Sequence, residues 1–436
     1  MRIHFVRRRS LRYLVPILAL AILGCETSRP LVESMPYPMP VAYRNSAPAP
    51  GDTDTRNGQG QAKLWTSRFG SAELDRLVDQ SLANNTELRI ATLQLAQTRV
   101  RARQTRAAGG PSVSLPVSIV SQGGNGSTDT RKSTQLSVVG NWRPDVWGES
   151  KWMIESSELQ LWRSAFERAN VRRNLLASLV QAYIGFVAVN DAIESATENE
   201  RIAQTVLDTL EKRSLLGDAT HAEVEQQRAA VLIQQAVIPG LENQREDFRN
   251  QIARLTGSVP SLLSLSDKGL DELQVPLVDT SIPATLLLRR PDIRMVEAKM
   301  RAANADIEVA RARLLPPVDL SAQAGFSGQG IGSLLQPQNL FWNAISSLTV
   351  SIFDGGKKED DKVFATAFHE EMVATYSQTI LQAVKEVESA LASIRAAQLR
   401  LEAQKAATRS TLTSFRLASE AYSLGALDLN AYWDAR

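Results

Sequence analysis

Cysteine is almost missing from this chain of 436 residues. Cys25 is the only one, which excludes a disulfide framework and any cluster of thiolate metal ligands. Histidine is nearly as scarce, and His4, His221 and His369 are too scattered in sequence to make a metal site or a proton relay. Aromatic residues are few at 6%, yet 43% apolar and 22% charged residues still allow a sizeable core and argue against a disordered chain. The body also lacks an excess of basic charge. The formal +2 includes Arg2, Arg7, Arg8, Arg9 and Arg12 in a leading stretch of 24 residues without an acid, and setting those five aside leaves −3. A nucleic-acid partner needs a concentrated basic surface, so that class is excluded. There is no phosphate-cradling Gly-Lys loop, no G-x-S-x-G elbow and no spaced carboxylate or histidine constellation, which leaves no enzymatic reaction and no cofactor to assign.

What is present begins with an address. Residues 1–24 run from basic residues into the apolar stretch Leu14–Leu23, which is too short to cross ~30 Å of hydrocarbon and reads as a secretory signal. The order Ile22-Leu23-Gly24-Cys25 resembles a bacterial lipobox, in which Cys25 is lipidated and becomes the first residue. Glu26, rather than Asp, after the cysteine points to the outer membrane by the usage of such lipoproteins. Two or more acyl chains would hold the protein there durably. Residues 25–62 then carry Pro30, Pro36, Pro38, Pro40, Pro48 and Pro50 with little apolar periodicity, an extended tether.

The remainder repeats. Shifting the sequence by 205 lays Asn84–Leu115 on Arg289–Leu320, with Arg89 on Arg294, Arg106 on Arg311, Pro111 on Pro316 and Leu115 on Leu320. At 208, Gly148 meets Gly356 and Gly217 meets Gly425. This divides the body into a first copy over residues 63–258, a linker over 259–283 and a second copy over 284–436. Glu149–Leu216 and Lys357–Leu424 contain no proline, and Gly185 is the only glycine in either. Such lengths support only helix, each about 100 Å long at 1.5 Å per residue. Ile380, Val384, Val387, Leu391 and Ile394 step by four and three, and Leu175, Leu176, Leu179, Ala182, Tyr183 and Phe186 form a similar stripe, the spacing of paired helices.

Ahead of each long helix the period changes to two. Val113, Leu115, Val117 and Ile119 alternate with Ser112, Ser114 and Ser118 in a strand over Pro111–Val120; a Gly-rich loop returns the chain through Ser133–Trp142. The second copy does the same with Pro317–Ser327 and Leu340–Phe353. Each copy therefore reads helix, strand, strand, very long helix, a mainly α fold with a small β part. Strands of ~10 residues suit a membrane barrel, and four cannot close one, so several chains would have to share it. A soluble hairpin cap on a long coiled coil is the rival reading.

Four stretches carry a family resemblance: Leu64-Trp65, Phe69, Leu74, Leu77 and Ala83-Asn84-Asn85 at the opening; Trp142 with Asp145-Val146-Trp147-Gly148; Leu287 through Ile293 with its Arg289-Arg290-Pro291-Asp292 core; and Ile352-Phe353-Asp354-Gly355-Gly356-Lys357. From about Leu64 to its last residue the chain resembles the TolC-like outer-membrane efflux channels, most closely the NodT/OprM-like lipoprotein branch that works with resistance-nodulation-division (RND) pumps. The Arg-Arg-Pro-Asp-Ile stretch also has a structural reading: Pro291 suits a first helical turn, Arg290 is pushed out of helix by it, and Asp292 complements the helix end.

The resemblance implies a homotrimer with a twelve-stranded β-barrel, four strands per chain, on an α-barrel crossing the periplasm. It implies an outer-membrane, lipid-anchored exit duct for small toxic compounds, docked by a periplasmic adaptor protein and an inner-membrane RND transporter. It places the docking turns at Arg213 and Gly217 and at Tyr422 and Gly425, although a simple need for positive φ also accounts for both glycines. It places the closed aperture at Asn430 and Asp434, where three carboxylates would converge and attract cations; a solvated surface Asp434 is the plainer alternative. Family members continue past the position of Arg436 into a further helix, the counterpart of Ala219–Gln251, so a fragment and a natively short chain both remain open. Two other functions also remain open: a periplasmic coiled-coil adaptor or scaffold lipoprotein without a pore, and a type I protein-secretion duct.

Overall fold

The computed structural model describes residues 65–123, 131–276, 284–424 and 426. After a short 3₁₀ turn, α1 (Ala72–Asn84) and α2 (Thr86–Ala108) follow one another with a cap at each start: the Ser71 hydroxyl accepts from Leu74 N at 3.2 Å and the Asn85 side chain from Leu88 N at 2.9 Å. The strands β1 (Ser112–Ser114), β2 (Val117–Gln122) and β3 (Arg131–Trp142) lead into α3 (Glu149–Leu215), and α4 (His221–Thr256) returns along it. The second copy runs α5 (Pro291–Arg313), β4 (Val318–Gly328), β5 (Leu340–Leu348) and α6 (Lys357–Ser423). The two expected rods are thus real, at 67 residues each. The expected partner of α3 is there too, starting at His221 because the Thr220 side chain and Glu223 form a reciprocal capping box.

The core lies across the middle of α3. Leu74, Leu77 and Val78 of α1 pack against Leu175, Leu179, Tyr183 and Phe186 of α3 and Ile252 and Leu255 of α4. Among the described residues α3 is the one helix long and apolar enough to cross a membrane, and many of its apolar side chains belong to this core. The lone glycine of the rod has a packing reason. A Cβ on Gly185 would stand 2.5 Å from the Phe248 ring of α4, so any larger residue there has to displace that ring. On α6 the expected stripe is covered at Ile380 and Leu391, but Leu401 is 53% exposed.

All five strands form one antiparallel sheet, ordered β1-β3-β4-β5 with β2 also on β3. The expected first strand is interrupted. β1 and β2 keep one register on β3, Ser112 opposite Asn141 and Val117 opposite Leu136, with the break at Leu115-Pro116, where proline lacks an N–H but still accepts from Ser137 N at 3.2 Å. β5 ends at Leu348 rather than Phe353. Its partner Val318 follows Pro316 and Pro317, and neither can donate to extend the ladder.

Candidate functional site: an amphipathic sheet on two long helices

The pairing register sorts the sheet into two faces. Val113, Val117 and Ile119 lie beside Leu136, Val138 and Trp142 of β3, then Leu320, Ala322, Ala324 and Phe326 of β4, then Leu340, Trp342 and Leu348 of β5. This face is apolar across every strand. It is also uncovered, with Trp342 78% and Ile119 64% exposed. The other face carries Ser112, Ser118, Gln135, Ser137, Asn141, Asp319, Gln323 and Asn343, with a smaller apolar share that includes Val139 and Ile345. Arg143 donates to both Asp319 oxygens, at 2.7 and 3.3 Å, and Gln323 to Ser137 Oγ at 2.8 Å. Gly325 sits on this polar face, where a Cβ would come within 2.2 Å of the Leu136 carbonyl oxygen, so the close approach of β3 and β4 at this point requires glycine. Both edges, β1 with β2 on one side and β5 on the other, lack a neighbour among the described residues.

Matching aspartates join sheet to rod. Asp145 accepts from Ser150 N and Lys151 N, at 3.0 and 2.8 Å, and Asp354 accepts from Gly356 N and Lys358 N, at 3.0 and 3.4 Å. Each neutralises orphan N–H groups where a long helix starts. The Arg-Arg-Pro-Asp-Ile stretch opens α5 at Pro291, with Arg290 extended before it. Arg290 grips Asp292 at 3.1 and 2.7 Å and reaches Glu386 of α6 at 2.6 Å, while Arg173 of α3 reaches Asp292 at 3.3 Å. Burial works to raise the Asp292 carboxyl, but the two guanidiniums overcome it and hold the group at about 2 against an ordinary 3.8. The hydrogen bond from Arg290 likewise lowers Glu386. One residue cluster thereby fastens three helices together.

At the far end of α3 the turn is fully described. Gly217 has φ 83°, Asp218 N donates to Arg213 O at 2.9 Å and Gly217 N to Ser214 O at 3.1 Å, the paired bonds of a left-handed glycine cap. Arg213 also donates to Asp218 O at 3.3 Å. The second copy makes the corresponding wide bond, Ala426 N to Ala421 O at 2.9 Å, across position 425. Among the described residues no cluster of three or more His, Cys, Asp or Glu side chains is placed to hold a metal ion.

The sequence profile of the family described as "outer membrane efflux protein" matches residues 77–258 and 282–436. The chain belongs to the outer membrane efflux protein family. It is 28% identical over 430 residues to the pyoverdine export outer membrane protein OpmQ of Pseudomonas putida, covering 96% of this chain and 89% of that one. To the cation efflux system protein CusC of Escherichia coli K12 it is 26% identical, covering 96% and 91%. The outer-membrane channel OprN superposes with TM-score 0.81 at 25% identity, over 92% of this chain and 91% of that structure. As an outer membrane efflux protein the chain is an outer-membrane channel component of an efflux system, mostly helical with a small antiparallel sheet.

The expected site residues divide by where they fall. Arg213 and Gly217 meet in one turn. Tyr422 lies in the last turn of α6, and Cys25, Gly425, Asn430 and Asp434 lie outside the described residues. Sequence reasoning missed Glu386 as a partner of Arg290, 96 residues away, for which no local signal exists. It also missed the steric roles of Gly185 and Gly325. Their isolation within a helical and a strand pattern was the available signal.

Proposed function

We propose that three copies of this outer membrane efflux protein close their sheets into one twelve-stranded barrel and serve as the passive exit duct of a tripartite efflux system. The observation that carries this reading is the sheet itself, with one apolar face in the open, one polar face and two unpaired edges. Unpaired edge groups are intolerable in lipid, so the edges demand neighbours, and the alternation of antiparallel strands lets β5 of one copy meet β1 and β2 of the next. The apolar face then meets lipid and the polar face lines water. Lipidation at Cys25 anchors the chain to the outer membrane. The turns at Arg213–Gly217 and Tyr422–Gly425 receive a periplasmic adaptor protein, an RND transporter supplies the energy, and Asn430 and Asp434 form the aperture. OpmQ is named for pyoverdine and CusC for cations. The two relatives therefore share an architecture without sharing cargo, and the cargo of this chain falls in the broad class of small toxic compounds loaded by its pump.

Current through planar bilayers tests this directly. Purified protein added to one side gives discrete conductance steps if it forms a duct, whereas a scaffold lipoprotein leaves the membrane silent.

A further inference from the structure

Both connections from sheet to rod carry an apolar pair, and both pairs stand in the open. Val146 and Trp147 precede α3; Ile352 and Phe353 precede α6, at 99% and 90% exposure. Glycines with positive φ follow, Gly148 directly after the first pair and Gly355 and Gly356 after Asp354 in the second, so each pair is held at a turn rather than drawn into the helix. Trp147 is fixed by donating its indole N–H to Pro316 O at 2.7 Å. Cations follow in both copies, after Glu149 and Ser150 in the first and directly after Gly356 in the second. Lys151 lies 5.1 Å from the Trp152 ring, and Lys357 and Lys358 open α6. Lys358 is half-buried, has no ion-pair partner among the described residues, and borders a recess of about 190 Å³ whose apolar wall includes Leu314 and Val350. The acids beside it are already engaged, Asp354 by the Gly356 and Lys358 amides and Glu359 by Lys362 at 2.8 Å.

Apolar and aromatic side chains followed by cations, repeated at the foot of a sheet whose uncovered face is apolar, match the boundary between acyl chains and headgroups. Lysine stems there lie along apolar surface while the ammonium reaches phosphate. We propose that this collar sits in the headgroup layer of the periplasm-facing leaflet, with Ile352 and Phe353 among the acyl chains and Lys358 on a phospholipid phosphate. The proposal rests on the barrel reading above, because only a barrel in lipid brings a leaflet to this height.

A nitroxide on Phe353→Cys in the full-length protein, reconstituted in vesicles of phosphatidylethanolamine and phosphatidylglycerol, tests it by collision with oxygen, which partitions into lipid, and with a water-soluble nickel chelate. Unsubstituted protein carried through the same labelling measures any reaction at Cys25. Oxygen should outcompete the chelate several-fold at position 353, and Lys358→Glu should shift that ratio toward water. Collar and headgroup contact are overturned respectively by a label reached mainly by nickel, or by neither reagent as beneath a neighbouring copy, and by a ratio that Lys358→Glu leaves unchanged. Protein that floats free of the vesicles overturns the barrel reading instead, so the two failures are distinguishable.

Discussion

The two rods α3 and α6 have the same length and the same freedom from proline, and they begin with the same kind of aspartate cap, but they are not equally covered. α3 lies between α4 and α5, with α1 across its middle, and buries Leu175, Leu179, Tyr183 and Phe186 almost completely. α6 packs on α5 and, beyond Leu391, shows Leu399, Leu401, Leu412 and Leu417 to solvent at half or more of their surface. The comparison teaches that a seven-residue rhythm specifies a rod but not what covers it. Burial within the single chain is therefore concentrated on α3 and the helices packed on it, α1, α4 and α5, and the C-terminal part of α6 contributes little to it.

The largest test of that asymmetry is Phe186→Ala, which removes a fully buried ring from the α3 core and should cost about 3–5 kcal/mol in denaturant unfolding. Leu412→Ala on α6, 62% exposed, should cost the isolated chain less than about 0.5 kcal/mol. Equal losses at both sites would dissolve the distinction. Next in size is the clamp that ties the copies together. Asp292→Asn should lose about 2 kcal/mol at neutral pH, following from a carboxyl held at about 2 rather than 3.8. Because the folded value is depressed, the stabilisation is present above pH ~4 and drains away as pH falls through about 2, so the two proteins' unfolding midpoints should converge there. A gap that persists in strong acid would show that the loss comes from packing.

Smaller effects separate equivalent positions. Gly185→Val forces a side chain into the Phe248 ring and should cost about 1–3 kcal/mol, whereas Ser393→Val, 208 residues on and exposed, should be close to neutral. Calorimetry of the two variants side by side reads the difference. Gly217→Ala, at φ 83°, should cost about 1–2 kcal/mol through the left-handed backbone, and Gly217→Asn should recover part of it.

Periodicity made much of this legible. Pro111 and Pro316 mark where helix gives way to strand, Gly148 and Gly356 with a change of period from two to three and a half mark where strand gives way to rod, and the serine alternation at Ser112, Ser114 and Ser118 marks which face of the first strand is polar. The strand ends were less visible, because the limit at Leu348 is set by Pro316 and Pro317 on the partner strand rather than by anything in β5. The Arg290–Glu386 contact was invisible for the same reason, since it depends on which helices become neighbours. Of the candidate site, the glycine turn at Gly217 could be read from its residues alone.

The central claim is that one chain's sheet is a third of a closed barrel. Cysteines placed on β2 at Val120 and on β5 at Asn343 of the same chain, both on the polar face, oxidised in the membrane and separated in denaturant without reductant, test it most directly. Closure in threes predicts covalent species of one, two and three chains and nothing larger. A ladder that continues beyond three, or chains that never link, contradicts it.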